Sequence, residues 1–458
     1  MINTQDFLIH IKSSLREAMG KIQQNTYGIV FLADDRGVVV GLLTDGDIRR
    51  YLISGGGIQD PAENCSNTDF VFGQSDMSRE LLIKKLDGHV KVIPILNSHR
   101  RLVDIMTKDK LPLRSEQRIY ARARAPVRIS FGGGGSDLTH YFSEVKGAVI
   151  NATISLYTHA TLKIRDDQRV VIDSRDVSGV IDADCLHDAL LAEGQYGLVQ
   201  AVLRTISPAF GFELYLHSDY PRGSGLGGSA TVAAAILACF NQFRVDKWNP
   251  YELVELAYQA ERLMLGISGG WQDQYAAVFG GLNFIEFHMK ENLVHPLRVH
   301  TDVLSELEEN LVLCNLRTLH ESGSIHDHQR EQMSKQGVKD LVAQNVKISY
   351  ELRDLLLRGN VSDFGVLLDR TWNIKKKLSE RISTDFIDRV YDDARLHGAL
   401  GGKLLGAGGG GYFLFCVLPK SKHQLMSYLE TQGLALQPFR FDSQGVQAWL
   451  TREQGIDV

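Results

Sequence analysis

The stretch PRGSGLGGSA at residues 221–230 sets Gly223, Gly225, Gly227 and Gly228 beside the hydroxyls of Ser224 and Ser229, between a strand pattern, FELYLHSD, and a helical one, SATVAAAILACFNQF. Such a loop suits anion binding. Glycines let the backbone approach a ligand closely, and the unpaired N–H groups and positive dipole end of the following helix favour negative charge. Gly223, Gly225 and Gly228 also spell G-x-G-x-x-G, but a dinucleotide fingerprint needs a second parallel strand ending in an acidic residue about 20 residues on. A second helical pattern, PYELVELAYQAERLML, comes next instead. A Walker A loop is excluded too, because no Lys-Ser or Lys-Thr follows the last glycine.

That second pattern predicts a helix over 250–265, capped by Asn249, opened by Pro250 and ended by Gly266. At about 100° per residue, Val254, Ala257, Tyr258 and Leu265 share a face with Glu261, while Glu252, Glu255, Gln259 and Arg262 lie opposite. Glu261 therefore faces the core, where a carboxylate must be paired, protonated or bound to a cation. Asp273 comes later, within GISGGWQDQYAAVFGG, between glycine pairs that suit close approach to a ligand.

The elements that position these residues belong to a long chain. Its 458 residues predict two or three domains. A hydrophobic share of 44%, a charged share of 23% and a formal net charge of −5 describe an ordinary soluble protein, without the basic footprint of a nucleic-acid or membrane-surface binder. Cys65, Cys185, Cys239, Cys314 and Cys416 are scattered and lack C-x-x-C spacing, so buried thiols are expected rather than disulfides or a zinc site. No secretory signal and no apolar run of about 18 residues is present, and the expected location is the cytoplasm. A homo-oligomer is neither specified nor excluded.

Residues 13–110 repeat. A helix, SSLREAMGKIQQ, two strands, YGIVFLAD and VVVGLLTD, and a helix from GDIRRYL are succeeded by a weaker copy in SRELLIKKL, KVIPIL and LVDIMTKDKL, which superposes when Thr44 is aligned with Thr107. Two such halves bury their apolar faces on each other. With VGLLTDGDIRR as its most specific part, this region, 1–113, resembles a CBS-domain pair. The resemblance implies a regulatory or docking module in which Thr44 and Asp47 contact the ribose of an adenine nucleotide or nucleotide sugar. The second half departs from the pattern, with Asp109 and Lys110 after Thr107, so at most one such site is implied. A polar linker is expected at 111–118.

The remainder, 119–458, resembles the GHMP kinases. PRGSGLGGSA is similar to their phosphate-binding motif, APVRISFGGGGSDLTHYF (125–142) to their first motif, and GGKLLGAGGGGYFLFCV (401–417) to their third. Within the family, GGGGSDL and GGWQDQYAAVFGG are most similar to the D-glycero-α-D-manno-heptose 7-phosphate kinases. The resemblance implies an α+β fold, with an S5-like half at 119–300 and a ferredoxin-like half at 301–458. ATP would lie on Gly223, Ser224, Gly225, Gly227, Gly228 and Ser229. Ser229 and Glu261 would ligate Mg²⁺, whose preferred donors are hard oxygens. Asp273 would be the carboxylate beside the acceptor hydroxyl, Arg128 would keep it charged and offset transition-state charge, and Asp137 would accept from a sugar hydroxyl. Gly228 departs from the family's first serine.

The implied activity is ATP-dependent phosphorylation of the anomeric hydroxyl of a sugar phosphate, the heptose 7-phosphate, for nucleotide-sugar and surface-polysaccharide synthesis. Two alternatives stand beside it: a kinase of an unphosphorylated sugar such as fucose or galactose, and a nucleotide-sensing protein with an inactive kinase fold. A substrate phosphate needs its own cations, for which Arg317 and one of Lys375, Lys376 and Lys377 are candidates, although a lysine run more often marks a solvated helix face. His326 and His328 read as surface residues.

Overall fold

Thr44 ends one strand and begins a helix, and it does both through a reciprocal cap. Its hydroxyl accepts from the Asp47 N–H at 3.2 Å, while the Asp47 carboxylate accepts from the Thr44 N–H at 3.0 Å and from its hydroxyl at 2.6 Å. This is a capping box, and Asp47 is also ion-paired with Arg50. The pair expected at a ribose thus serves the start of helix Asp45–Ile53. The computed structural model describes residues 3–452 except 76, 78, 87–89, 109–118, 319–324, 326, 327, 329–331 and 333–335. The linker expected at 111–118, Asp109, Lys110 and His326 lie outside the described residues.

The chain divides into two units, Met1–Glu116 and Gln117–Val458. In the first, Leu8–His10 runs parallel to Ile29–Ala33, which pairs antiparallel with Val39–Thr44. Gly73–Gln74, Val92–Leu96 and Leu102–Thr107 form a second sheet with the same sequence of parallel and antiparallel pairings. Each half has a buried cluster of its own, and Phe31 and Val39 from one half share a further buried cluster with Val92, Leu96 and Ile105 from the other.

The second unit is organised by an 18-residue strand, Gly147–Ile164. It pairs antiparallel with Ile119–Gly132, Phe212–Ser218 and Leu282–Phe287 in an eight-stranded sheet. Against the sheet packs helix Gly228–Asn241, whose alanines bring it close and whose residues from Ala233 to Asn241 are all buried. A second core joins Val127, Ile129 and Phe131 of the sheet to Ile348, Leu352, Phe364 and Leu368 of helices Gln336–Leu357 and Ser362–Lys375. A four-stranded antiparallel sheet has the order Ala399–Leu404, Tyr412–Val417, Leu311–Asn315, Ala435–Leu436.

The chain then returns: Gln447–Arg452 pairs with Ile119–Arg124. The last strand of the half expected at 301–458 thus joins the sheet of the half expected at 119–300. The five cysteines are free thiols, and Cys65 and Cys185 are half-exposed rather than buried. Among the described residues, no helix is long and apolar enough to cross a membrane.

Candidate active site

The glycine loop is built by close backbone packing. Gly223, Gly225 and Gly227 hold φ of +71°, +75° and +83°, the left-handed region that side-chain-bearing residues avoid. Gly227 is the N-cap of helix Gly228–Asn241. A Cβ on Gly225 would lie 2.9 Å from the Leu405 carbonyl oxygen, and one on Gly406 would lie 2.6 Å from Gly225 Cα. The Tyr412 N–H donates to the Ser224 carbonyl at 3.1 Å, so the loops at 221–230 and 405–412 brace each other. Gly228 is a glycine for another reason: a Cβ there would lie 2.7 Å from the Tyr220 ring, whose hydroxyl is held by Thr158 and Thr231.

Above this loop opens a cavity of about 460 Å³, whose wall includes Gly225, Gly228, Ser229, Glu261, Arg128 and Asp273. Arg128, on strand Ile119–Gly132, is 5% exposed. Its Nε and Nη2 donate to Asp273 Oδ1 at 2.8 and 2.7 Å, and its Nη1 donates to the Gly225 carbonyl at 2.7 Å. Asp273 stands in the first turn of helix Gln272–Phe279. One guanidinium therefore ties the glycine loop to the carboxylate.

Asp137 is buried beside them. Its Oδ1 accepts from the Gly135 N–H at 3.1 Å and its Oδ2 from the Gln272 N–H at 3.3 Å. Burial, reinforced by the charge of Asp273, raises its pKa above the usual carboxylate range. A Cβ on Gly270 would fall 1.9 Å from Asp137 Oδ2, so the glycine pair before Asp273 makes room for this carboxylate.

Glu261 faces inward, 3% exposed, and its Oε2 accepts from Gln274 Nε2 at 2.6 Å. The helix around it departs from the expected α form. Pro250–Tyr258 is α-helical, but Gln259–Met264 is a π turn, in which the Leu265 N–H reaches back to the Ala260 carbonyl at 3.0 Å. The wider turn shifts the angular phase of its residues, and this corrects the position of Arg262. Its side chain is 9% exposed, 3.2 Å from Glu261 Oε1, rather than on the solvent face.

A second cavity, of about 60 Å³, shares Arg128, Arg262, Asp273 and Gly406 with the first and adds Asp137, Gln272, Lys375 and Lys403. Lys375, one of three candidate lysines for a substrate phosphate in a run that more often marks a solvated face, is 8% exposed and donates to the carbonyls of Leu404 and Gly406 at 2.8 and 2.6 Å. Burial, with the charge of Arg128 behind it, lowers its pKa to about 7. Lys376 instead pairs with Asp388. Arg317 is exposed and lines neither cavity. His328 is half-buried, 2.7 Å from the Ser379 hydroxyl, which corrects its reading as a surface residue.

Sequence reasoning does not single out Lys403, Arg262 or Gln272. Lys403 carries a signal: it is the one charged residue in ALGGKL, a strand whose neighbours are glycine or apolar. The inward turn of Arg262 carries none.

Comparison with known proteins matches the N terminal domain of the GHMP kinases over residues 195–281 and their C terminal domain over 352–425. A D-glycero-alpha-D-manno-heptose 7-phosphate kinase of Campylobacter jejuni is 35% identical over 334 residues, which span 72% of this chain and 98% of that protein. An L-fucokinase/L-fucose-1-P guanylyltransferase of Bacteroides fragilis is 27% identical over 66% of this chain and 35% of its own length. A crystal structure of a D-glycero-D-manno-heptose 1-phosphate kinase from Bacteroides thetaiotaomicron superposes with a TM-score of 0.60 at 29% identity, over 72% of this chain and 98% of that one.

Proposed function

Since the chain belongs to the GHMP kinase family, as an ATP-dependent sugar kinase of the heptose phosphate kinase type, we propose that it phosphorylates the anomeric hydroxyl of D-glycero-D-manno-heptose 7-phosphate. The observation that carries this reading is the Arg128–Asp273 pair, which lies on the walls of both cavities. ATP takes the larger cavity, and the sugar phosphate extends from the shared Arg128–Asp273 wall into the smaller. The triphosphate lies against the N–H groups of Gly223–Ser229 and the positive end of helix Gly228–Asn241.

Asp273 orients the acceptor hydroxyl and takes its proton as the hydroxyl oxygen bonds to the γ-phosphorus and the bond to the ADP oxygen breaks. Arg128, fixed by Asp273 and the Gly225 carbonyl, offsets charge on the transferring group. Asp137 accepts from a sugar hydroxyl. Positioning and charge stabilisation of this kind are what phosphoryl transfer requires.

The residues fit a magnesium ion. The Glu261 carboxylate and Ser229 hydroxyl both line the larger cavity, and both are hard oxygen donors. Bound there, Mg²⁺ would neutralise charge on the ATP phosphates. Arg262 is the cation that faces Glu261 otherwise.

Unit Met1–Glu116 we read as a CBS-type regulatory or docking module. Its two sheets of matching topology support that reading, and its nucleotide would have to be met by Thr44 and Asp47 around their capping box. The test of the main activity is ATP consumption across sugars and sugar phosphates. The heptose 7-phosphate is expected to give the highest kcat/KM, and a higher value with unphosphorylated fucose or galactose would overturn the assignment.

A further inference from the structure

The smaller cavity holds more basic side chains than its carboxylates answer. Arg128 is paired with Asp273 and Arg262 with Glu261. Asp137 accepts from two backbone N–H groups. Lys375 and Lys403, 8% and 3% exposed, have no carboxylate at ion-pair distance among the described residues. Among the described residues, Lys403 donates only to the Ser130 hydroxyl, at 3.4 Å. Gln272 Nε2, on the same wall, is buried with no hydrogen-bond partner among the described residues. Buried ammonium groups without a counter-charge are costly, and proteins retain them where a ligand supplies the missing charge.

Neither lysine lines the larger cavity, so the absent anion is not the triphosphate bound by the glycine loop. Resting on the reading of the chain as a sugar phosphate kinase, we infer that Lys375, Lys403 and Gln272 receive the phosphate group that the sugar already carries. A phosphate monoester bears a charge of about −1.5 to −2 at pH 7, which two ammonium groups balance. It also accepts hydrogen bonds through three oxygens, and these three side chains supply donors for them.

Protonation of the two lysines provides an independent readout. Burial lowers the pKa of Lys403 well below its ordinary value, with Lys375 and Arg128 adding to the effect, and burial lowers that of Lys375 to about 7. A bound dianion favours the charged forms, so between the free and bound pKa values the lysines take protons from solvent as the ligand enters. The other charged groups facing them are Asp137, Asp273, Arg128 and Arg262 with its partner Glu261. At pH 8 the phosphate itself is already a dianion, so the uptake reports the protein.

The experiment uses the full chain, with heptose 7-phosphate and the same heptose without phosphate. Calorimetric titrations at pH 8 in two buffers of different ionisation enthalpy are expected to show proton uptake with the first sugar and none with the second. In parallel, Lys403→Gln is expected to lower the preference for the phosphorylated sugar, as a ratio of kcat/KM values, by roughly 10²-fold, the size expected when a charged contact is lost in a buried site. A wild-type enzyme with no preference for the phosphorylated sugar would overturn the substrate reading, and this inference with it. A selective wild type would overturn the lysine assignment alone if Lys403→Gln lowered both sugars in equal proportion or left the ratio intact, or if proton uptake were the same for both sugars.

Discussion

Asp273 touches Arg128 and borders both cavities, so replacing it with its neutral isostere removes a charge and a proton acceptor while keeping a group that Arg128 can bond. Asp273→Asn is expected to lower kcat by about 10²-fold or more, the loss typical of a general base, with the Kd for ATP within a few-fold of wild type. Retention of more than about a tenth of kcat in a single-turnover assay would remove the role assigned to this carboxylate. Gly228 poses the opposite question, since the family motif that this loop resembles has a serine there. A Cβ at this position falls 2.7 Å from the Tyr220 ring, and Gly228→Ser should cost about 1–3 kcal/mol by overpacking. Tyr220→Leu in the same chain should recover part of that cost. A double-mutant cycle in urea measures the coupling, and additive effects would mean that the ring is not what excludes a side chain. The departure at Gly228 is visible in the sequence, but its cause is not, because the ring that fills the space belongs to the preceding loop and is aimed by Thr158 on another strand.

Helix positions are legible as far as periodicity holds. Pro250–Tyr258 keeps the expected wheel, with Val254 and Ala257 buried and Glu252 and Glu255 exposed. One π turn then breaks the phase, and Arg262 arrives beside Glu261 although the α wheel sends it to solvent. A local irregularity of the backbone hydrogen bonds leaves no mark in residue spacing, so an inward Glu261 is foreseeable and its partner is not. The strand containing Lys403 shows a related limit: glycines on one side leave its direction undetermined, and the fold buries it at 3% exposure. The pairing of Glu261 with Arg262 also makes a prediction. Removing one member of a buried ion pair strands the other, at a cost of about 3–5 kcal/mol, so Arg262→Ala should be destabilised by that order in metal-free buffer. If Glu261 holds the metal as proposed, Mg²⁺ with ATP should restore more stability to the variant than it adds to wild type, because the cation would have no arginine to displace from Glu261. Denaturant midpoints with and without Mg²⁺–ATP test this, and equal stabilisation of both proteins would separate Glu261 from the metal.

The two units of the chain have separate cores: Phe31, Val39 and Ile105 fill one, and the clusters around Gly147–Ile164 fill the other. The residues that line the two cavities run from Arg128 to Ala407, all within Gln117–Val458. The strand Gln447–Arg452 sets the limits of any shortened chain, since it pairs with Ile119–Arg124 and completes the large sheet from its far end. A chain of residues 117–458 keeps both strands and every site residue, and is expected to unfold cooperatively and retain kcat/KM within a few-fold of the full protein. Residues 1–116 expressed alone should then carry whatever nucleotide binding the repeat provides. If that ligand regulates the kinase, its effect in the full chain equals its differential affinity for active and inactive states, typically about 1–3 kcal/mol, and must vanish in 117–458. Calorimetric titration of adenine nucleotides and nucleotide sugars into 1–116, with kinase assays of the full and shortened chains, separates the cases. No binding at millimolar nucleotide would leave Thr44 and Asp47 as the helix cap they form. A folded but inactive 117–458 would mean that the N-terminal unit completes a site whose residues otherwise lie in the other unit.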